Sequence, residues 1–294
     1  MTADLERRIT ALAKDRESGA SELLPEVISV LHQALSSGGP ILEIARAICR
    51  AQPSMAPVWN AALIACAPDG AVRLERFARR VERAPAAIAR FAVDCFAASG
   101  QSPLRVVTIS YSGSVHHVLA AVADRIPSVH VSCGEGRPAL EGRRLAARLA
   151  ALHIPVTVYG DAAIGHALAA ADAVIVGADA VAPLWFLNKT GTQMLAASAL
   201  QHGVPLYVVA SREKFVGASV AEQLVVRDEA PSEIWAEPPA GVTVRNPYFE
   251  RTSLELVTSV ISDVGILGAT MIPDVCAAQH DAATMQVLRD LLNA

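Results

Sequence analysis

Lysine is scarce in this sequence: of 25 basic residues in 294, only Lys14, Lys189 and Lys214 are lysines. Two of them sit among small polar residues, Lys189 in Asn188-Lys189-Thr190-Gly191-Thr192 and Lys214 just after Ser211. An ammonium is a compact point charge suited to a phosphoryl oxygen. Glycine and hydroxyl residues at the start of a helix leave backbone N–H groups free to meet an anion. Lys189 to Thr192 has that composition, and so does Ser112-Gly113-Ser114. With Arg137 and Lys214, these two cradles predict a ligand that carries an oxyanion.

The acidic residues point to a second chemistry. Asp161 and Asp179 are placed to hold sugar hydroxyls or to move protons, and Glu135 stands beside Arg137. Asp179 is delivered by the apolar run Val174 to Ala178. Partial burial there would favour the neutral carboxyl and suit it to general acid catalysis. The same residue could instead cap the next element through backbone N–H groups, which would lower its pKa. Cys133 closes another apolar run and reads either as a core thiol or as a reactive thiolate near Glu135 and Arg137. Each of these residue types also serves in ordinary caps and turns. What favours a site is their recurrence after successive apolar runs.

Those runs define the elements that must position them. Up to about residue 100, apolar residues recur at three and four, as in Leu23, Leu24, Val27, Ile28, Leu31 and Leu35, which predicts five or six helices. Pro40, Pro53, Pro57, Pro68 and Pro85 are read as helix boundaries. After the turn-rich segment Ser99 to Pro103, short β-branched runs (104–108, 129–133, 156–159, 173–176 and 206–210) alternate with helical patterns. That alternation predicts an α/β fold, with a helical N-terminal domain over 1–100 and a parallel sheet domain over 101–294. In such a sheet the ligand binds beyond the carboxyl ends of the strands, where the polar residues above are found.

Composition removes several function classes. No apolar run reaches the roughly 18 residues of a membrane span, and the charged start lacks the apolar stretch of a secretory signal, so the expected location is cytoplasmic. Five scattered cysteines without a CxxC pair give neither a disulfide framework nor a zinc site. The histidines lack metal-ligand spacing. A net charge of −4 argues against a basic nucleic-acid surface. Neither GxGxxG nor GxxxxGK occurs, and no cofactor is expected.

The motifs in order resemble a known superfamily. Glu135-Gly136-Arg137-Pro138, Asp161-Ala162-Ala163, Gly177-Ala178-Asp179 and Asn188-Lys189-Thr190-Gly191-Thr192 are similar to segments of the regulatory subunits of translation initiation factor 2B, methylthioribose-1-phosphate isomerase and ribose-1,5-bisphosphate isomerase. Arg16 to Leu23 resembles the N-terminal ligand loop, and Asn246-Pro247-Tyr248-Phe249-Glu250 with Asp263-Val264-Gly265 resembles the C-terminal signature. The resemblance implies a helical domain on a Rossmann-like domain, assembled as homodimers or higher homo-oligomers. It also implies that Arg16, Gly19, Ala20, Arg137, Asn188 and Lys189 hold the phosphate and hydroxyls of a phosphorylated sugar or nucleotide, with Asp179 protonating the ring oxygen.

The isomerases place a cysteine after the first strand, within Thr-x-Cys, for the hydrogen transfer. This sequence has Thr108-Ile109-Ser110. A thiol with a pKa of about 8.5 deprotonates readily, whereas an alcohol needs an adjacent base. Three readings follow: a sugar-phosphate or nucleotide-binding relative without the usual isomerase chemistry; an isomerase using Asp179 with Ser110, Cys133 or Glu135 as base; and an assembly subunit of a translation exchange factor. The Arg- and Ala-rich composition, which resembles that of GC-rich bacteria, weighs against the third. All the pocket readings require the Lys189 ammonium and the Asp179 carboxyl to face one cavity.

Overall fold

The computed structural model describes residues 2–15 and 18–293. Five helices come first: α1 (Ala3–Lys14), α2 (Ala20–Ser36), α3 (Ile41–Ala51), α4 (Ala56–Cys66) and α5 (Gly70–Ala98). The amphipathic periodicity buries Leu24, Val27 and Leu31 of α2 against Ile44 and Ile48 of α3. Pro85 does not end a helix as expected. It lies inside α5, whose 29 residues continue on both sides of it. The reason is tertiary: before the proline, Leu74 and Phe77 belong to the helical core, and after it Ile88, Ala92 and Phe96 pack on the sheet. Burial on both sides outweighs the one lost hydrogen bond.

The chain then alternates through β1 (Leu104–Thr108), α6 (Gly113–Ala123), β2 (Val129–Gly134), α7 (Glu141–Ala151), β3 (Val156–Tyr159) and β4 (Ala173–Gly177). Between β3 and β4 the expected α-helix is instead a 3-10 stretch, Asp161–Ala170. Its Ala-Ala-Ile-Gly-His-Ala-Leu sequence gives buried contacts only at Ile164 and Leu168, too few for an amphipathic stripe. Next come β5 (Ala180–Val181), β6 (Trp185–Lys189), α8 (Thr192–His202), β7 (Leu206–Val209), α9 (Ala218–Ala221), β8 (Phe249–Ser253), β9 (Ser259–Ser262), β10 (Gly265–Leu267), α10 (Ile272–Ala277) and α11 (Ala282–Asn293).

Seven strands form the main sheet in the order β10-β9-β7-β4-β1-β2-β3, parallel except for the β9–β10 hairpin. Successive residues feed opposite faces: Val106 and Ile175 join the core under α5 and α6, while Val107, Val174 and Val176 join the core under α8. Strand order reverses between β1 and β4. Their carboxyl ends therefore open the crevice in which ligands bind in such sheets. Ser110 follows one and Asp179 the other. A small antiparallel sheet, β5-β6-β8, lies beside this crevice.

One buried amide ties the helical layer to the sheet. Asn60 of α4 is 1% exposed and donates from Nδ2 to the carbonyls of Glu213 (2.7 Å) and Phe215 (3.0 Å). Its Oδ1 accepts from His280 Nε2 at 2.6 Å. Burial pushes the His280 imidazole down to about 4. Asn60→Leu leaves two carbonyls and an imidazole unpaired, and urea denaturation is expected to show a loss of about 3 kcal/mol or more. Because the folded His280 binds its proton less readily than the unfolded chain at about 6.5, its contribution is complete above that pH and is lost as pH falls towards about 4. His280→Gln should flatten that part of the stability profile, measured by thermal unfolding across pH.

Candidate functional site

The crevice divides into two cavities. The smaller, about 30 Å³, is walled by the start of α2 (Gly19, Ala20), the loop before α6 (Ser112, Gly113), and Asp179, Asn188 and Lys214. Two helix N-termini thus meet a carboxyl and an ammonium. Ser112 Oγ caps its helix by accepting from Val115 N–H at 3.3 Å. Gly177 makes the approach possible: a Cβ there would lie 2.6 Å from Ser112 Oγ. The Asp179 backbone is fixed twice, its N–H donating to Leu187 at 2.8 Å and its carbonyl accepting from Ala56 at 3.0 Å.

Burial raises the Asp179 carboxyl above the ordinary carboxylate range, opposed by the Lys214 charge and by the Ala20 N–H directed at it. Burial likewise lowers the Lys214 ammonium, opposed by Asp179 and Glu213. Both groups shift towards their neutral forms. Lys214 is 3% exposed, and among the described residues its ammonium has no hydrogen-bond partner. The 3-10 turn Arg212–Lys214 that presents it is held by Asn60 and by a short hydrogen bond from Ser211 to Glu213.

The larger cavity, about 510 Å³, adjoins through neighbouring residues: Ser110 and Lys189 line it, whereas Tyr111 and Asn188 line the cleft. Asp179 and Lys189 therefore line different cavities, which overturns the pocket read from sequence around that pair; a site here has to rest on other residues. The alternation of β6 explains the separation, since consecutive residues of a strand face opposite ways. Lys189 is also neutralised, its Nζ donating to Glu141 Oε1 at 2.7 Å and lying 4.3 Å from the centre of the Tyr248 ring.

The helix cradle expected at Lys189 to Thr192 is occupied by the protein itself. Glu250 Oε1 accepts from the N–H groups of Gly191 (2.7 Å) and Gln193 (2.8 Å), supplying the anion that α8 attracts. Asn188 and Lys189 belong to β6 rather than opening the helix. Asn188 Nδ2 donates to Thr192 Oγ1 at 2.9 Å.

Other expected residues scatter. Asp161 lines the larger cavity, but its two oxygens accept from the N–H groups of Gly136 (2.8 Å) and Arg137 (2.7 Å), so it is a loop clamp. Arg137 lines the same cavity with an exposed side chain. Glu135 turns away into an ion pair with Arg143 at 2.6 Å. Cys133 is fully buried, its thiol directed to the Gly142 carbonyl at 3.6 Å and pushed up to about 11 by burial and then by the charge of Asp161. A thiol held protonated in the core is no base, which corrects its place among catalytic candidates. Ser110 adopts a left-handed backbone (φ 62°), unusual for a residue with a side chain, at the rim of the larger cavity. Arg16 lies outside the described residues.

Sequence reasoning missed three contributors. Tyr111 lines the cleft beneath Arg144, whose guanidinium sits 3.9 Å from the ring centre, and its hydroxyl accepts from Arg148 at 2.6 Å. Glu250 and Asn60 act through partners 59 and 153 positions away, a separation no local pattern encodes.

The model of the initiation factor 2 subunit family matches residues 13–269. The chain belongs to this family. An eIF-2B subunit 2-like protein of Pyrococcus furiosus is 33% identical over 77% of this chain and 80% of its own length. The methylthioribose-1-phosphate isomerase of Desulfitobacterium hafniense is 35% identical over 55% of this chain, which spans only half of that enzyme. Among solved structures, eIF-2B of Pyrococcus horikoshii superimposes with a TM-score of 0.76 at 23% identity, covering 93% of this chain and 98% of the other. That likeness shows the helical region followed by a mainly parallel sheet as the family's fold. No helix among the described residues is long and apolar enough to cross a membrane.

Two outcomes test the site as described. Native Cys133 should resist iodoacetamide at pH 7.5 and react only after unfolding, read by peptide mass spectrometry. Glu250→Gln weakens the charge at the start of α8 and should cost about 1 kcal/mol in chemical denaturation.

Proposed function

We propose that this chain binds a phosphorylated sugar or nucleotide, with a phosphoryl group entering the cleft between the starts of α2 and α6 beside Lys214. The carrying observation is the Lys214 ammonium: buried, without a hydrogen-bond partner among the described residues, and facing two helix N-termini. Sequence assigned a cationic role to both Lys189 and Lys214; in this reading Lys214 carries it at the cleft. The cleft has the volume of about one water, so the bound form requires the Gly19–Ala20 loop to move outward. The rest of the ligand extends past Asn188 and Ser110 into the larger cavity, towards Arg137.

A second reading, isomerisation of an aldose 1-phosphate, is favoured by one observation: burial raises the Asp179 carboxyl, so it holds its proton to higher pH than an ordinary aspartic acid. Ring opening needs such an acid. The hydrogen transfer that follows lacks its thiol, because Ser110 occupies that place and the alternative thiol, Cys133, is buried and its pKa is raised to about 11. Binding without efficient turnover is therefore our leading reading. Self-association belongs to it, and light scattering of the purified chain should give a homodimer or larger; a stoichiometric foreign subunit would favour an assembly role.

Isothermal titration with ribose 1,5-bisphosphate and methylthioribose 1-phosphate should show binding of at least one. Lys214→Met should weaken it about tenfold or more, as expected for loss of a charged hydrogen bond, and Lys189→Met should weaken it less. Turnover should be slow or absent in the wild type and rise in Ser110→Cys. Robust wild-type turnover abolished by Asp179→Asn would establish the isomerase reading instead, and equal binding by wild type and Lys214→Met would overturn the cleft assignment.

A further inference from the structure

On α5, Arg76, Arg79, Arg80 and Arg83 recur at the spacing that places side chains on one helical face. Together with Asp263 of the β9–β10 turn they wall a cavity of about 500 Å³, and none of its lining residues belongs to the cleft or to the larger cavity described above. Of the four, Arg79 is paired, with Glu75 at 3.1 Å. Arg212 adds a fifth guanidinium near enough to depress Arg80 after burial has done so. The Nε atoms of Arg80 and Arg212 are both buried without a hydrogen-bond partner.

Two carboxylates face this group. Glu213 is buried and already accepts from Ser211, and Asp263 Oδ1 accepts from the Arg212 N–H at 2.6 Å and from Ser262 at 3.1 Å. Arg76 and Arg83 have no ion pair among the described residues, and like charges on adjacent helical turns repel. The exposed guanidiniums of Arg76 and Arg83, which line the cavity, present paired N–H donors, and a phosphoryl group offers acceptors of matching geometry. A concave site of this volume suits a small molecule rather than a duplex or an extended acidic chain.

We infer that this Arg-walled cavity is a second anion site, for a small ligand bearing two or more linked phosphoryl groups. It is independent of the cleft at Lys214 and of the function proposed there.

The test is titration of the full-length chain with inorganic pyrophosphate, in the wild type, in Lys214→Met, and in an arginine variant that adds Arg76→Gln and Arg83→Gln to Lys214→Met, so that the cleft does not contribute. Arg76 and Arg83 are exposed, so their replacement leaves the fold intact, which circular dichroism checks. Pyrophosphate should bind Lys214→Met with the stoichiometry of one site, weaken about tenfold or more in the arginine variant, and weaken with added salt. The inference is overturned if Lys214→Met abolishes all pyrophosphate binding, if the arginine variant binds as Lys214→Met does, or if no binding occurs below about 1 mM, the weak end of specific affinity.

Discussion

Burying an ammonium costs several kcal/mol unless the surrounding protein or a ligand offsets it. Lys214 is buried, and the architecture around the crevice is arranged to tolerate that cost. Asp179 and Glu213 oppose its loss of charge, Asn60 holds the backbone on either side of it, and Ser211 engages Glu213. The arrangement offsets part of the lysine's shift towards its neutral form, at a position where two helix starts also converge.

That position depends on the way the layers are joined. The reversal of strand order between β1 and β4 opens the crevice, and α5 carries the helical layer to its edge by contributing to both cores. The absence of a side chain at Gly177 lets the Ser112 loop approach β4, and the Asp179 backbone is pinned to β6 on one side and α4 on the other. Displacing any of these would move the carboxyl relative to the ammonium. The crevice is therefore a property of the joint between layers, not of either layer alone.

The family signature is divided between two tasks. Asn188 faces the cleft, whereas its neighbour Lys189 is neutralised by Glu141, and Glu250 fills the helix start that follows. Asp161 clamps the Gly136–Arg137 backbone. Several residues that look like ligand contacts thus hold the walls in place, which lets the exposed Arg137 and strained Ser110 remain at the rim of an open cavity.

Much of this protein is written in its local sequence. Apolar spacing of three and four marked the helices, β-branched runs marked five strands of the main sheet, and the motif around Asp179 placed that carboxyl at a strand end, because each is set by contacts between near neighbours. Pro85 misled for the opposite reason: distant packing on either side of it outweighs its local effect. The small sheet, Glu250 in the helix cradle, the separation of Lys189 from Asp179 and the promotion of Lys214 were decided only in three dimensions. Each depends on partners tens to hundreds of residues apart or on the direction a strand residue faces, and a list of residue types carries no information about either.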